Sequence, residues 1–147
     1  MKNPEDRGSE RNEFGRILKQ NLFLFLLDLE VKRAQRYQNF LSILIFRLKH
    51  TSHGTNGDGF QPCYKLLSRL LAEEMRETDI IASLRGNKLA VLLPYADVDC
   101  GSAAKSRVEN ILKDYDLQNN GYEVVIQQVS FPMNGTSTIE MMKKALG

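Results

Sequence analysis

The stretch from Arg76 to Pro94, RETDIIASLRGNKLAVLLP, constrains this chain more than any other. It reads as two short apolar strands around a tight turn. Ile80, Ile81, Ala82 and Leu84 follow the acidic Asp79, and Leu89 to Leu93 form an unbroken apolar run closed by Pro94. Between them, Arg85-Gly86-Asn87-Lys88 has Gly-Asn at its centre, a pair that accepts the positive φ angles of a two-residue hairpin loop.

The flanking segments supply helices and further strands. Residues 1–13 are polar and mixed in charge, so a loose tail is expected before a single domain over 14–147. From about Phe14 to Tyr37 the pattern is helical: Leu18, Leu22, Phe25, Leu26 and Leu29 recur at three and four, giving one broad apolar face. Phe23, Leu24 and Leu27 fall off that face, which predicts a second contact, either within the domain or with a dimer partner. Leu41 to Leu48 reads as a buried strand, and Lys49 to Gly59 as a loop. Pro62 suits a first helical turn, and Leu66, Leu67, Leu70, Leu71 and Met75 continue at helical spacing. After the hairpin, Ala103, Ala104, Val108, Ile111 and Leu112 mark a third helix. Asn119-Asn120-Gly121 reads as a turn, Tyr122 to Val129 as a strand, and Thr138 to Leu146 as a last helix. This order predicts an α+β fold of ferredoxin-like type, with helices packed on a mainly antiparallel sheet.

Composition narrows the function classes. The net charge of +2 on 147 residues is too small to argue for nucleic acid as partner. The N-terminus has no apolar core, and the run Leu22 to Leu27 is stopped by Asp28 far short of a bilayer span. A soluble, cytoplasmic protein without a membrane partner is expected, and Cys63 and Cys100, far apart, suit a reducing compartment. His50, His53 and Cys63 lack a fourth metal ligand and a fixed geometry. Gly54 to Gly59 ends as neither a phosphate loop nor a calcium loop, and no nucleophile motif is present.

Several short motifs occur in a specific order. Glu30, Arg33, Ala34, Arg36, Tyr37, Leu41 and Ser42 lead into the first long strand. Arg76 and Asp79 form R-x-x-D, Ala90 to Pro94 follow the turn, and Phe131-Pro132 precedes Gly135 and the helix from Met141 to Leu146. Together they resemble the GGDEF (diguanylate cyclase) family, whose signature hairpin falls on Arg85, Gly86, Asn87, Lys88 and Leu89. No counterpart of the family's usual closing strand is expected. The resemblance implies the nucleotidyl-cyclase palm fold and a bacterial signalling role.

It also implies what the chain lacks. Family cyclases join two GTP molecules with divalent metal held between triphosphate and carboxylates. The "D-x-D" carboxylate positions are here Arg47 and Lys49, the signature Glu is Lys88, and the acidic third position is Asn87. Exchanging attraction for repulsion at about 4 Å shifts each pair by several kcal/mol even at an effective dielectric near 20. No catalytic residue, metal or cofactor is therefore expected, and the chain is expected not to be an enzyme. The loop after the first long strand is shorter than in the family, and its Asn56 and Asp58 read as turn formers.

A second family site, which binds the product cyclic di-GMP, uses the R-x-x-D and an arginine on the following helix. Arg76 and Asp79 match the first part and Arg107 falls on the second. A guanidinium donates two parallel bonds to guanine O6 and N7, and a carboxylate accepts from guanine N1–H and N2–H. These residues make a non-catalytic cyclic di-GMP receptor the first expectation. The bland reading makes Arg76 and Asp79 a turn-capping pair and Arg107 a solvated surface residue. In the alternative function the chain is a protein–protein or dimerisation module that works through the helix 14–37, without nucleotide. A third possibility is an anion patch from Arg47, Lys49, Arg85 and Lys88, set against ordinary solvated charge.

Overall fold

The structure is a computed structural model that describes residues 15–51, 59–115, 117 and 121–147. The expected tail 1–13, the turn residues Asn119 and Asn120, and His53, Asn56 and Asp58 lie outside the described residues. The elements in order are β1 (Ile17–Leu18), α1 (Gln20–Tyr37), β2 (Leu41–His50), α2 (Phe60–Glu74) and β3 (Ile80–Leu84), then β4 (Lys88–Pro94), α3 (Val98–Leu112), β5 (Tyr122–Phe131) and α4 (Thr138–Leu146). They form one five-stranded sheet in the order β1-β3-β4-β2-β5, antiparallel except where β1 runs parallel to β3. This is the α+β palm architecture expected from the sequence.

β4 lies at the centre of the sheet, which explains its unbroken apolar run. Leu89, Val91 and Leu93 pack under α2 and α3 with Leu44, Phe46, Leu67, Leu71 and Val108. Ala90 and Leu92 face the other way, under α1 and α4, with Ile43, Ile45, Phe23, Leu27 and Met141. A strand covered on both faces needs no polar alternation.

Three local expectations are corrected. The hairpin turn has three residues, Arg85 to Asn87, because the last cross-strand pair is Leu84 with Lys88. Gly86 and Asn87 both take positive φ (79° and 59°), as the dipeptide foretold. The additional residue, Arg85, donates its backbone N–H to Gln20 Oε1 at the start of α1 (2.8 Å). Second, the helix expected from Phe14 begins only at Gln20, since Ile17 and Leu18 pair with Ile81 and Ala82 as a short strand. Third, the buried face of α1 is Phe23, Leu27, Val31 and Ala34, whereas Phe25 is 60% and Leu29 49% exposed. Between Leu22 and Leu29 nearly every residue is apolar, so periodicity there does not choose a face. The next turns decide it: one stripe continues into Val31 and Ala34, the other into Arg33 and Arg36.

α3 starts at Val98, before its first apolar marker Ala103, because Asp97 caps it by accepting from Cys100 N (2.8 Å). Among the described residues no helix is long and apolar enough to cross a membrane.

Candidate functional site

The end of the sheet where β3 begins and β4 finishes is built from three connections. α2 stops at Glu74, Met75 turns extended, and residues 76–79 close a tight turn. In that turn Asp79 N donates to Arg76 O (3.0 Å) while Arg76 N donates to Asp79 Oδ2 (2.9 Å). Asp79 is consequently buried, with one carboxylate oxygen engaged by the main chain, and the Arg76 side chain is left exposed. On the far side of β4, Tyr95 adopts φ +62° and turns the chain toward the Asp97 cap of α3.

A buried polar network fixes where α3 starts. Ser42 Oγ lies 2.7 Å from Ser130 Oγ, 3.0 Å from Ala96 O and 3.1 Å from Asp97 O. Gln128 Nε2 donates to Val98 O (2.9 Å) and to Ser130 Oγ (3.1 Å). The helix approaches so closely here that a Cβ on Gly101 would lie 2.5 Å from Gln128 Nε2 and 2.7 Å from Ser42 Oγ. Glycine is required at that contact by space rather than by φ.

This packing brings Arg76, Asp79 and Arg107 onto one cleft of about 290 Å³ with Leu93 and Ala104 in its floor. Tyr95 and Cys100, which sequence reasoning did not assign to a site, complete its wall. Neither has a local signal, since each enters only through the packing of α3 against the end of β4. Among the described residues neither Arg76 nor Arg107 has an ion-pair partner, and both are exposed. The Arg33 guanidinium, itself paired with Glu30, stacks over the Tyr95 ring 4.6 Å from its centroid. Asp97 is held below the usual carboxylate range, chiefly by the Cys100 backbone N–H and then by the Cys100 side chain. The same hydrogen bond to Asp97 and the negative charge push the Cys100 thiol upward. The cleft thus offers two cationic hydrogen-bond donors, an acceptor at its edge and an aromatic wall.

The signature end differs. Arg47 stands directly opposite Lys88 on adjacent antiparallel strands, and Lys49 opposite Glu123. Lys88 Nζ donates to Leu146 O at the end of α4 (3.2 Å). The guanidinium and ammonium groups of Arg47, Lys49 and Lys88 offer no oxygen ligand to a hard divalent cation, so these residues do not fit the metal that the resemblance implies. Among the described residues no group of three or more His, Cys, Asp or Glu side chains gathers to hold an ion.

No family model matches this sequence, and no curated protein aligns with it. Solved structures do match. A DGC protein from Thermotoga maritima superposes with a TM-score of 0.73 at 17% identity, covering 90% of this chain and 92% of the other. The active GGEEF domain of a diguanylate cyclase from Vibrio cholerae gives 0.72 at 10% identity, over 88% and 86%. A microbial GGDEF domain solved for its interaction with cyclic di-GMP gives 0.61 at 14% identity, over 96% and 88%. The class that these matches define is the GGDEF-domain fold, the palm of the nucleotidyl cyclases.

Proposed function

We propose that this chain is a degenerate, non-catalytic GGDEF domain that binds cyclic di-GMP through Arg76, Asp79 and Arg107. The observation that carries the reading is the convergence on one cleft, from elements distant in sequence, of two arginines that have no carboxylate partner among the described residues. Guanidiniums in that position suit guanine edges and phosphate oxygens, and Tyr95 offers a ring face. The cleft volume lies near the lower edge of the range for small-molecule sites, roughly 300–1,000 Å³. It therefore suits one guanine end of the dinucleotide, with the remainder lying over open surface. Basic side chains at Arg47, Lys49 and Lys88 support the loss of metal-dependent GTP condensation. The test is calorimetric titration with cyclic di-GMP, and separately with GTP plus Mg²⁺. The expected result is micromolar binding of the dinucleotide, abolished in Arg76→Ala, and no turnover of GTP. Equal silence toward the dinucleotide before and after the substitution would sink the reading.

A second reading rests on α1. Leu22, Phe25, Leu26 and Leu29 form a stripe at helical spacing whose Phe25 and Leu29 are largely exposed. Such a stripe suits a protein partner or a second copy, without nucleotide. Light scattering of the wild type and of Phe25→Asp tests it. A mass that falls to that of the monomer at unchanged thermal stability supports this reading, and a wild type that is already monomeric leaves only a foreign partner.

A further inference from the structure

Arg16 is the most heavily engaged side chain near the cleft, yet it lies outside it. It stands between Gly15, which has φ +68°, and the two residues of β1. From there its guanidinium reaches the far end of α2. Nη1 donates to Ala72 O (2.8 Å) and Met75 O (2.9 Å), and Nη2 donates to Arg76 O and to Asp79 O (3.2 Å).

The first two acceptors lie at the end of α2, Ala72 in its last turn and Met75 at its C-cap. The last carbonyls of a helix have no partner inside it, and they carry the negative end of its dipole. α2 has no basic residue in its last turn, and the residue that ends it, Met75, is extended. Arg16 supplies from another element what the local sequence does not: a planar cation whose donors fan out to several carbonyls at once. The other two acceptors belong to Arg76 and Asp79, the first and last residues of the turn that carries the cleft's ligand groups. The turn is therefore gripped from its main-chain side by Arg16, which leaves the Arg76 side chain directed outward.

We infer that Arg16 is the positioning residue of this site, so that docking of β1 on β3 and occupation of the cleft are thermodynamically coupled. The inference rests on the ligand reading given above. With Arg16 in place, Arg76 and Asp79 sit at a set distance from Arg107, and the ligand meets a preformed pair of guanidiniums. With β1 released, the four carbonyls lose their common donor, the turn loosens, and binding must then reorder it. Coupling is reciprocal: if β1 docking favours the ligand, the ligand favours β1 docking by the same factor. β1 is a two-residue edge strand and opens locally at low cost, so its amides report that coupling directly.

The experiment has two arms, both with cyclic di-GMP as probe. In the first, calorimetry compares the unaltered chain with Arg16→Ala, Arg16→Lys and Arg76→Ala. Arg16→Ala is expected to weaken binding about tenfold, within the usual range of coupling between two sites. Arg16→Lys should recover only part of this, because one ammonium does not span four carbonyls. In the second arm, hydrogen exchange at Ile17 and Leu18 is followed in the unaltered chain with and without ligand. Slower exchange on binding is expected, and it is expected to vanish in Arg76→Ala. A side chain that merely stabilises the fold would lower the melting temperature in Arg16→Ala without making β1 exchange depend on ligand. Affinity unchanged within about twofold in a folded Arg16→Ala, or β1 exchange indifferent to bound ligand, overturns the inference and leaves the site reading standing. If Arg16→Ala does not fold, the exchange arm decides alone. Absence of dinucleotide binding by the unaltered chain overturns the site reading and this inference with it.

Discussion

At the turn end of the β3–β4 hairpin, Arg47 faces Lys88 and Lys49 faces Glu123 across neighbouring strands. At the other end, about 20 Å along β4 at some 3.4 Å per residue, Arg76 and Arg107 line one cleft. Both ends are basic, yet they are basic in different ways. Near the turn the cations project from strands of the same sheet, and Lys88 spends a hydrogen bond on the last turn of α4. At the cleft they come from separate elements, over an apolar floor, with a carboxylate and an aromatic ring beside them. Charge on a surface is common, whereas charge converging on a concavity is what a ligand site requires. One fold thus carries at one end a charge set that repels metal and at the other the set proposed above to meet a nucleotide.

The largest expected effect tests that contrast directly. Arg76→Ala and Arg107→Ala should each weaken cyclic di-GMP binding tenfold or more, since a hydrogen bond to a charged group contributes about 1.5–3 kcal/mol. Arg47→Ala and Lys88→Ala should leave the affinity within about twofold, because neither lines the cleft. A Lys88→Ala effect as large as that of Arg76→Ala would reverse the assignment of the two ends. Calorimetry on the four variants measures it.

Glycines give the next test. Gly101→Ala forces a methyl group into the Ser42–Gln128 network and should cost about 1–3 kcal/mol in urea unfolding. It should also weaken ligand binding, because the helix that moves carries Arg107. Gly86→Ala meets only Lys88 Cε, at an ordinary contact of 3.9 Å, but has a positive φ, and should cost about 1 kcal/mol. Its effect on binding should be negligible. Equal binding by both variants would show that the position of α3 does not set the cleft.

Local chemistry was readable in the sequence, and long-range packing was not. Gly86-Asn87 announced its own φ angles, and the run Leu89 to Leu93 announced an apolar strand, though not that both its faces are covered. Arg76, Asp79 and Arg107 were all singled out through the family resemblance, and the first two are joined within one turn. Tyr95 and Cys100 became part of the cleft only through the close approach of α3 at Gly101. β1 was hidden because two residues carry no period, and because their partners, Ile81 and Ala82, lie far along the chain. Arg16 was hidden with it, as one more charge in a polar segment. On α1 the discriminating residues were present, but Val31 and Ala34 are weaker signals than the five leucines and two phenylalanines before them.

A smaller effect is expected from pH. The Asp97 cap holds the start of the helix that forms one wall of the cleft, and its carboxyl is kept below the ordinary value of 3.8 by its hydrogen bonds from Cys100. A carboxyl depressed in the folded state adds stability that is complete above its ordinary value and is lost as pH falls through the folded one. Asp97→Asn keeps an acceptor for the cap but does not titrate. Urea midpoints followed from neutral into acid should therefore fall less steeply for Asp97→Asn than for the wild type. Parallel curves would show that the acid limb belongs to other carboxyls, with Asp28 and Glu140, both also depressed, the first to examine.

The smallest effect concerns the turn end alone. Like charges directly opposite on antiparallel strands destabilise the pair, and opposite charges stabilise it, by roughly 0.2–1 kcal/mol. Lys88→Glu replaces repulsion with Arg47 by attraction, at the loss of the hydrogen bond to Leu146 O. The substitution should therefore leave stability unchanged or raise it by no more than about 1 kcal/mol. Paired with Arg47→Asp, it sets two carboxylates opposite each other on the same strand register. The doubly altered chain should then show weak Mg²⁺ or Mn²⁺ binding by calorimetry. Binding of that kind would mean that the strand geometry for a metal persists and that side-chain charge alone excludes it. A double variant as inert to metal as the wild type would mean that the frame itself has drifted at this end, and that the two ends of the hairpin differ in backbone as well as in charge.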